Sequence, residues 1–213
     1  MRTVKAVADR VLAAIALVAL GPVLAAIALW IWLDDGRPAL IAQERAGKDG
    51  VPFRMLKFRT MVRDALEAGK RLGLEDPWGL VQDDPRITRS GRFLRRTSLD
   101  ELPQLLNVVK GEMSLVGPRP DLVDQVANYS DVDRRRLAVR PGITGWSQVH
   151  GREEIGWPER FEQDAWYVDN WSLLLDLKIV VATFTQLFRP GEEPVEDTMN
   201  IERARARTRE QSR

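Results

Sequence analysis

The sequence predicts an α+β fold: a small helix-rich domain with a short β-hairpin, attached to an apolar N-terminal segment. Three observations lead to this prediction. Residues 11–33 carry no charge, residues 39–61 form two strand-like runs around a turn, and several later segments are compatible with short helices. A chain of 213 residues has the length of one domain with attachments. We therefore expect one globular domain behind a membrane segment.

The apolar segment is long enough to enter a membrane. Residues 11–33 would cover the hydrocarbon thickness of roughly 30 Å as a helix, and they exceed the apolar core of about 7–15 residues in a cleaved signal peptide. Pro22 follows Gly21 near the middle and removes an amide donor, so a kink is expected. Basic residues flank both ends and select no orientation. The residues alone are compatible with a kinked span and with a re-entrant hairpin.

Strand and helix signals follow the apolar segment. Residues 39–61 predict a β-hairpin whose turn is the Gly-rich run 47–50. Residues 63–72 are compatible with a helix, and residues 76–85 form a polar stretch with two prolines, which predicts a loop. This part of the chain therefore contributes the strands of the predicted α+β fold.

The last third of the chain contains a loop signal, an apolar stretch and a polar tail. Residues 140–151 are rich in turn formers and predict a loop. Residues 166–188 are strongly apolar but contain charged side chains, which predicts an amphipathic helix in the membrane interface or, equally, a core helix. Residues 189–213 are polar and predict a mobile tail.

The composition excludes several kinds of catalytic site. The chain has no cysteine and one histidine, His150, which removes disulfide frameworks, thiol nucleophiles, zinc clusters of His and Cys, and most Ser-His-Asp arrangements. The 32 basic and 31 acidic residues give a net charge of +1, so the total charge does not favour nucleic-acid binding. Carboxylates are the expected agents of any chemistry, and anion binding has to come from local clusters of basic residues.

Such a basic cluster precedes a pair of adjacent carboxylates. Residues 86–96 contain five arginines, several of them three or four positions apart and therefore able to share a helix face. That face suits phosphates or anionic lipid head groups, and a solvated basic face is the plainer alternative. The acidic pair Asp100 and Glu101 follows directly, and a Gly-Pro-Arg-Pro turn ends the same block.

Helix capping offers a structural explanation for the acidic pair. Residues 100–109 predict a helix with Thr97 or Ser98 as N-cap, in which Glu101 completes a capping box with Ser98. Acidic side chains in a first turn also suit the helix dipole. This explanation covers Asp100 and Glu101, but it does not account for the neighbouring arginines.

The residue types favour phosphoryl transfer over other carboxylate chemistry. An aspartate acts as a general base, or as a nucleophile on phosphorus or on a glycosyl carbon. Guanidinium groups neutralise phosphoryl oxygens, and Mg²⁺ binds carboxylates together with substrate phosphates. Neighbouring carboxylates on one helix diverge by about 100°, which disfavours a glycosidase. The residues alone thus indicate a membrane-anchored, carboxylate-dependent phosphoryl-transfer enzyme.

Four sequence blocks resemble the bacterial sugar transferases known as monotopic phosphoglycosyl transferases, in their minimal form. The blocks are KFRTM (57–61), TRSGRFLRRTSLDELPQLLNVVKGEMSLVGPRP (88–120), RPGITGWSQVHGR (140–152) and WYVDNWSLLLDLK (166–178). The resemblance implies transfer of a sugar 1-phosphate from a UDP-sugar to polyprenol (undecaprenyl) phosphate, with release of UMP and a covalent phosphosugar-aspartate intermediate. It also implies Mg²⁺ as cofactor and the first membrane step of a surface glycan pathway.

The resemblance assigns roles to particular residues. Asp100 matches the nucleophile and Glu101 the Mg²⁺ ligand of the family, and both are expected to be catalytic. The turn Pro118, Arg119 and Pro120 matches a substrate-binding motif on the nucleotide side. Further matches, expected around the phosphates or the active site, are Lys57, Arg95, Arg152 and Asp176.

The resemblance also predicts how the chain is organised. A re-entrant membrane anchor is expected over residues 1–36, the catalytic domain over residues 37–188 and a polar tail over residues 189–213. The helix break falls at Gly21 and Pro22, where the family usually has Ser-Pro, so the serine hydroxyl is missing here. The implied location is the cytoplasmic face of the bacterial inner membrane. The expected partners are the UDP-sugar, polyprenol phosphate, membrane lipid and a second copy in a homodimer, and nucleic acid is not among them.

Two other functions remain open on the sequence. A non-catalytic membrane-surface module would use its arginines to bind lipid or a partner, and Asp100 and Glu101 would then act only as a helix cap. A Mg²⁺-dependent lipid phosphatase would use water instead of polyprenol phosphate as acceptor. The sequence contains no residue pattern that identifies the sugar.

Overall fold

The computed structural model describes residues 2–73, 84–150 and 156–187. Its helices are α1 (Arg2–Asp35), α2 (Ala65–Arg71), α3 (Arg89–Arg96), α4 (Gln104–Lys110), α5 (Val123–Val126), α6 (Asp131–Arg134), α7 (Trp146–Val149), α8 (Trp157–Asn170) and α9 (Leu173–Leu187). Its strands are β1 (Leu40–Ala46), β2 (Pro52–Phe58), β3 (Ser114–Val116) and β4 (Gly142–Thr144). The 3₁₀ turns are Lys48–Gly50, Leu99–Glu101 and Arg135–Ala138. These elements confirm the predicted helix-rich fold with a small hairpin.

Helix α1 packs along the rest of the domain on one face only. Its first half lies against β2 and α4, where Ala13 is buried in a cluster with Phe53 and Val108. Its second half lies against α3, where Ile31 is buried beside Leu94. The opposite face is apolar and exposed. Among the described residues, α1 is the one helix long and apolar enough to cross a membrane by length and composition.

The predicted membrane break lies inside α1. The helix is assigned without interruption from Arg2 to Asp35 and contains Pro22. Because proline has no N–H, the carbonyl of Val18 loses its usual helical donor. A Cβ added at Gly21 would meet no atom within 4 Å, so this section is open to its surroundings. Re-entrant insertion at Gly21 and Pro22 stays a prediction.

The predicted β-hairpin is confirmed. Strands β1 and β2 pair antiparallel, from Leu40 opposite Phe58 to Ala46 opposite Pro52. The connecting turn has two residues in the left-handed region, Asp49 and Gly50. Alternate residues of β2 are buried, as a half-buried strand requires. The helix expected within residues 63–72 is also present, as α2.

The loop predicted over residues 140–151 is wrong in part, because this segment contains β4 and α7. Strand β4 pairs in parallel with β3, with Ser114 opposite Gly142 and Val116 opposite Thr144. Glycine serves close backbone approach here, since a Cβ on Gly142 would lie 2.1 Å from the amide nitrogen of Gly117. In the sequence, glycines placed for close approach have the same appearance as glycines of a turn.

The helix predicted over residues 100–109 begins later than expected. Helix α4 starts at Gln104, and Leu99–Glu101 form a 3₁₀ turn. Ser98 has φ 54° and caps nothing with its side chain, so the predicted capping box is wrong. Pro103 has no N–H to donate, and the amides of Leu102 and Leu105 bond three residues back, which makes this a 3₁₀ turn and not an α-helical one.

The apolar stretch over residues 166–188 forms parts of two helices, not one. Helix α8 ends at Asn170, and α9 begins at Leu173. The hydroxyl of Ser172 accepts a hydrogen bond from the amide of Leu175 at 3.1 Å, which starts the second helix. One face of α9 is buried and the other exposes large apolar side chains such as Phe184. Most of the predicted loop at 76–85 and the predicted tail at 189–213 lie outside the described residues.

Candidate active site

The acidic pair lies on the 3₁₀ turn Leu99–Glu101, between α3 and α4. The turn is fixed from below, because Leu99 and Leu102 pack into the cluster that holds Ile31 of α1 and Leu94 of α3. Helix α3 begins at its N-cap Thr88, whose hydroxyl accepts a hydrogen bond from the amide of Gly91 at 3.0 Å. Two helices with apolar contacts thus support the turn that carries both carboxylates.

Basic side chains from separate elements converge on the acidic pair. Arg119 Nη1 donates to Glu101 Oε1 at 2.8 Å. Lys57 on β2, Arg95 on α3 and Arg119 each act electrostatically on Asp100. The Nε of Arg95 also donates to the hydroxyl of Thr60 at 2.9 Å, which restrains its guanidinium. The structure therefore brings together five of the predicted site residues.

The electrostatic balance at Asp100 differs from that of an ordinary aspartate. Burial, and then the negative charge of Glu101, raise the pKa of Asp100 to about 7, against the opposing effect of Lys57, Arg95 and Arg119. A carboxyl with this pKa changes its charge near neutral pH. Perturbation by burial and a charged neighbour is typical of functional sites.

The loop of Pro118, Arg119 and Pro120 is held by a buried arginine that the sequence analysis did not identify. Arg136 is 4% exposed, and its Nη2 donates to the backbone carbonyl of Arg119 at 2.8 Å. Glycine contacts hold the start of the loop, where Gly117 N donates to the carbonyl of Thr144 at 2.9 Å. Arg119 is thus presented to Glu101 from a backbone that is fixed on two sides.

Arg136 is held by two buried carboxylates. It donates to Asp121 and, at 2.6 Å, to Asp164 Oδ2, and its Nη1 donates to the hydroxyl of Tyr129 at 2.7 Å. Ser147 donates to the other oxygen of Asp164 at 2.7 Å. The two carboxylates are 15 and 28 residues away from Arg136 in the chain. No local spacing in the sequence signals such a network, which is why it was missed.

Asn107 links helix α4, which follows the acidic pair, to the hairpin. Its side chain is fully buried; Nδ2 donates to the carbonyl of Arg54 at 2.8 Å, and Oδ1 accepts from the amide of Leu56 at 3.0 Å. The amide therefore binds one edge of β2 to α4. Since Lys57 is the next residue on β2, this contact fixes its position relative to Asp100. In the sequence, the only signal for this role is a polar amide within the apolar run 105–109.

Asp176 is a predicted site residue whose contacts lie away from the acidic pair. Asp176 bonds to Lys5 Nζ at 2.7 Å, to Tyr167 at 2.7 Å and to Trp171 Nε1 at 3.0 Å. These contacts join α1, α8 and α9, and none of them is with the acidic pair. A role of Asp176 near the phosphates stays a prediction. Arg152 lies outside the described residues, and the predicted break at Gly21 and Pro22 falls within α1.

The donor set at the acidic pair fits a magnesium ion that shares its coordination with a substrate. Among the described residues no group of three or more His, Cys, Asp or Glu side chains forms a protein-only metal site. Mg²⁺ is usually held by one or two carboxylates together with substrate phosphates and waters, so a complete protein cage is not required. After burial, the negative charge of Glu101 is the second cause of the raised pKa of Asp100, and a divalent cation would relieve this repulsion.

Comparison with known sequences gives matches over most of the chain. A family model described as bacterial sugar transferase matches residues 1–190. The chain is 49% identical over 151 residues to the uncharacterized sugar transferase EpsL of Bacillus subtilis, covering 71% of this chain and 70% of that protein. It is 43% identical over 172 residues to the undecaprenyl-phosphate galactose phosphotransferase of Salmonella typhimurium, covering 76% of this chain and 36% of that protein.

A further relative is the UDP-glucose:undecaprenyl-phosphate glucose-1-phosphate transferase of Escherichia coli. It is 42% identical over 190 residues, which are 85% of this chain and 39% of that protein. The chain thus spans about two fifths or less of the length of the Salmonella and Escherichia relatives, whose names state an activity.

Proposed function

Because the chain belongs to the bacterial sugar transferase family, we propose that it transfers a sugar 1-phosphate from a UDP-sugar to polyprenol phosphate and releases UMP. The observation that carries the proposal is the arrangement around the acidic pair. Arg119 binds Glu101 at 2.8 Å, while Lys57, Arg95 and Arg119 each place a positive charge near the half-buried Asp100. The names of the Salmonella and Escherichia relatives support the same reaction.

In the first half-reaction, a carboxylate oxygen of Asp100 attacks the phosphorus that carries the sugar. The new bond between phosphorus and the Asp100 oxygen produces an acyl phosphate. The bond from this phosphorus to the bridging oxygen of UMP breaks, and its electron pair leaves on UMP. In the second half-reaction, a phosphate oxygen of polyprenol phosphate attacks the same phosphorus, and the bond from phosphorus to the Asp100 oxygen breaks with its electron pair leaving on the carboxylate. The product is the polyprenol diphosphosugar, and no oxidant or reductant is needed.

The basic residues would stabilise the charge on the transferred phosphoryl group. The guanidinium of Arg95 and the ammonium of Lys57 act on the side of Asp100, and Arg119 acts from its fixed loop. Glu101 would hold Mg²⁺, which when bound neutralises the oxygens of the diphosphate. Water must be kept from the acyl phosphate, and the burial that raises the pKa of Asp100 is favourable for that purpose.

The proposed location is the cytoplasmic face of the bacterial inner membrane, with α1 as the anchor. The apolar outer face of α1 supports insertion into a membrane. The exposed apolar face of α9 is consistent with contact to the interface. Polyprenol phosphate would reach the acidic pair along this surface. Re-entrant insertion and a homodimer belong to the same proposal.

UMP release tests the proposed function. We expect the purified chain, with Mg²⁺, polyprenol phosphate and a panel of UDP-sugars, to release UMP with at least one donor. The variant Asp100→Asn should lose at least about 10³-fold in rate, because it removes the nucleophile. The matched control is Asp124→Asn, an exposed aspartate of α5, which should keep the wild-type rate.

The same experiment distinguishes the alternatives. Equal UMP release by the wild type and by Asp100→Asn would contradict the proposed nucleophile. Absence of UMP with every donor, together with intact membrane binding, would favour a non-catalytic membrane module. Release of inorganic phosphate from polyprenol phosphate without a donor would identify a lipid phosphatase.

A further inference from the structure

We propose that the exposed face of α3 binds anionic head groups of the membrane that α1 enters. This arginine face consists of Arg89, Arg92, Phe93 and Arg96. At 3.6 residues per turn these four positions lie within about 100° of arc, and all four side chains are exposed. The inference goes beyond the transfer reaction and does not depend on it.

The arginine face is held at the C-terminal end of α1. Phe93 packs on Trp30 with ring centroids 5.5 Å apart. On the inner side of α3, Leu94 is fully buried in a cluster with Ile31, and the amide of Ser90 donates to a carboxylate oxygen of Asp34 at 2.8 Å. Aromatic, apolar and polar contacts therefore fix α3 beside the last turns of the apolar helix.

The order of side chains along this end of α1 matches the layers of a membrane surface. Leu29 and Leu33 are 54% and 80% exposed, as apolar groups in contact with acyl chains would be. Trp30 and Trp32 are 40% and 42% exposed. Tryptophan concentrates at the boundary between acyl chains and head groups. Arg37 lies 3.9 Å above the ring of Trp32. The arginine face thus lies beside the tryptophans, at the level where phosphates of lipids are found.

Among the described residues, little negative charge faces the arginine face. Within the described ranges, Arg89, Arg92 and Arg96 form no ion pair within 4 Å. Asp34 is the acidic group on which Arg89 and Arg92 act electrostatically, and it is also bonded to Ser90. In the described part of the chain, this single carboxylate beside Arg89 and Arg92 leaves the face with net positive charge. Since the guanidinium groups are spread over an exposed helix face, they suit several head groups in a plane better than one free phosphate.

Vesicle binding of the full chain tests the proposal. Detergent-purified protein is diluted onto vesicles of phosphatidylcholine, or of phosphatidylcholine with about one third phosphatidylglycerol, and the bound fraction is measured by flotation. We expect the wild type to prefer the anionic vesicles by about 100-fold, since each of the three arginines near such a surface contributes roughly fivefold. The preference should fall as salt is added. The test variant combines Arg89→Gln, Arg92→Gln and Arg96→Gln, and should lose at least about tenfold of the preference.

Two further variants separate the arginine face from general effects. A matched control removes the same charge from exposed residues in other elements, Lys48→Gln, Lys70→Gln and Arg134→Gln, and should keep the preference. A second control, Arg89→Lys with Arg92→Lys and Arg96→Lys, keeps the charge and should also keep the preference, even if the glutamine variant fails to fold. Equal binding of the wild type to both vesicles, or equal losses in the test and matched variants, would overturn the proposal. A lysine variant that loses the preference would do so as well.

Discussion

In the proposed mechanism, the pKa of Asp100 makes the first half-reaction sensitive to pH. The attacking carboxylate must be ionised, and burial with the charge of Glu101 raises the pKa of Asp100 to about 7. Such a group is half ionised at pH 7 and only about one tenth ionised at pH 6. We therefore expect the rate of the first half-reaction to fall about fivefold between pH 7 and pH 6, and to rise less than about twofold between pH 7 and pH 8.

The assay should isolate Asp100 from the acceptor. Polyprenol phosphate titrates near neutral pH itself, so the measurement is the burst of UMP from enzyme and UDP-sugar alone, at the lowest Mg²⁺ concentration that supports it. A cation at Glu101 opposes one of the two causes of the raised pKa of Asp100. More Mg²⁺ should therefore shift the acid limb of the pH–rate profile, where the burst rate falls, to lower pH. In the variant Glu101→Gln, the acid limb of the remaining UMP burst should also shift to lower pH, since the substitution removes the negative charge beside Asp100.

The result that would refute this reasoning is a burst rate that stays flat between pH 6 and pH 8 at low Mg²⁺. A limb that moves to higher pH in Glu101→Gln would also contradict it. As a control for unfolding at acid pH, protein exposed to pH 6 and returned to pH 8 should recover its full burst. If the acid limb lies near pH 7 and does not move in Glu101→Gln, burial alone accounts for the raised pKa of Asp100.

Two predictions concern stability. Because Asp100 binds its proton more tightly in the folded than in the unfolded chain, the free energy of unfolding of the wild type should fall as pH rises from about 4 to 7. The variant Asp100→Asn should therefore have a higher melting temperature than the wild type at pH 8. Equal melting temperatures at pH 8 would contradict this prediction. Arg136→Met leaves the carboxylates of Asp121 and Asp164 buried without their partner and should cost about 3–5 kcal/mol of stability, or roughly 6–20 °C in melting temperature. The control Arg135→Met removes an exposed ion pair and should cost at most about 1 kcal/mol. Equal losses in the two variants would show that burial of the Arg136 ion pairs does not matter.

The sequence predicted the elements whose signals are local. The hairpin of β1 and β2 follows from two strand-like runs around a turn with Gly50, and α1 follows from an uncharged apolar run. The helix after the acidic pair was placed four residues too early, because Ser98 and Glu101 have the spacing of a capping box. The backbone of Ser98 is left-handed instead, and Pro103 interrupts the α-helical hydrogen bonds.

Elements that depend on distant contacts escaped prediction. The parallel pairing of β3 with β4 joins segments 28 residues apart, as between Ser114 and Gly142, and its glycines suggested only a turn. The resemblance to the family identified the residues around Asp100. It did not identify Arg136 or Asn107, whose partners are set by tertiary packing and not by spacing.

The packing of α1 has a consequence for the active site. The second half of α1 forms the cluster in which Leu99 and Leu102, on both sides of the acidic pair, are partly buried. The end of the helix is fastened separately, because Arg59 donates to the carbonyls of Asp35 and Gly36 at 2.9 and 2.6 Å. A membrane anchor joined by a simple linker would leave the 3₁₀ turn of Asp100 and Glu101 unaffected by the helix. Under the proposed function, the same helix supplies the membrane-facing surface and the support beneath the carboxylates, so a change in how α1 sits in the bilayer would act directly on the position of the proposed nucleophile.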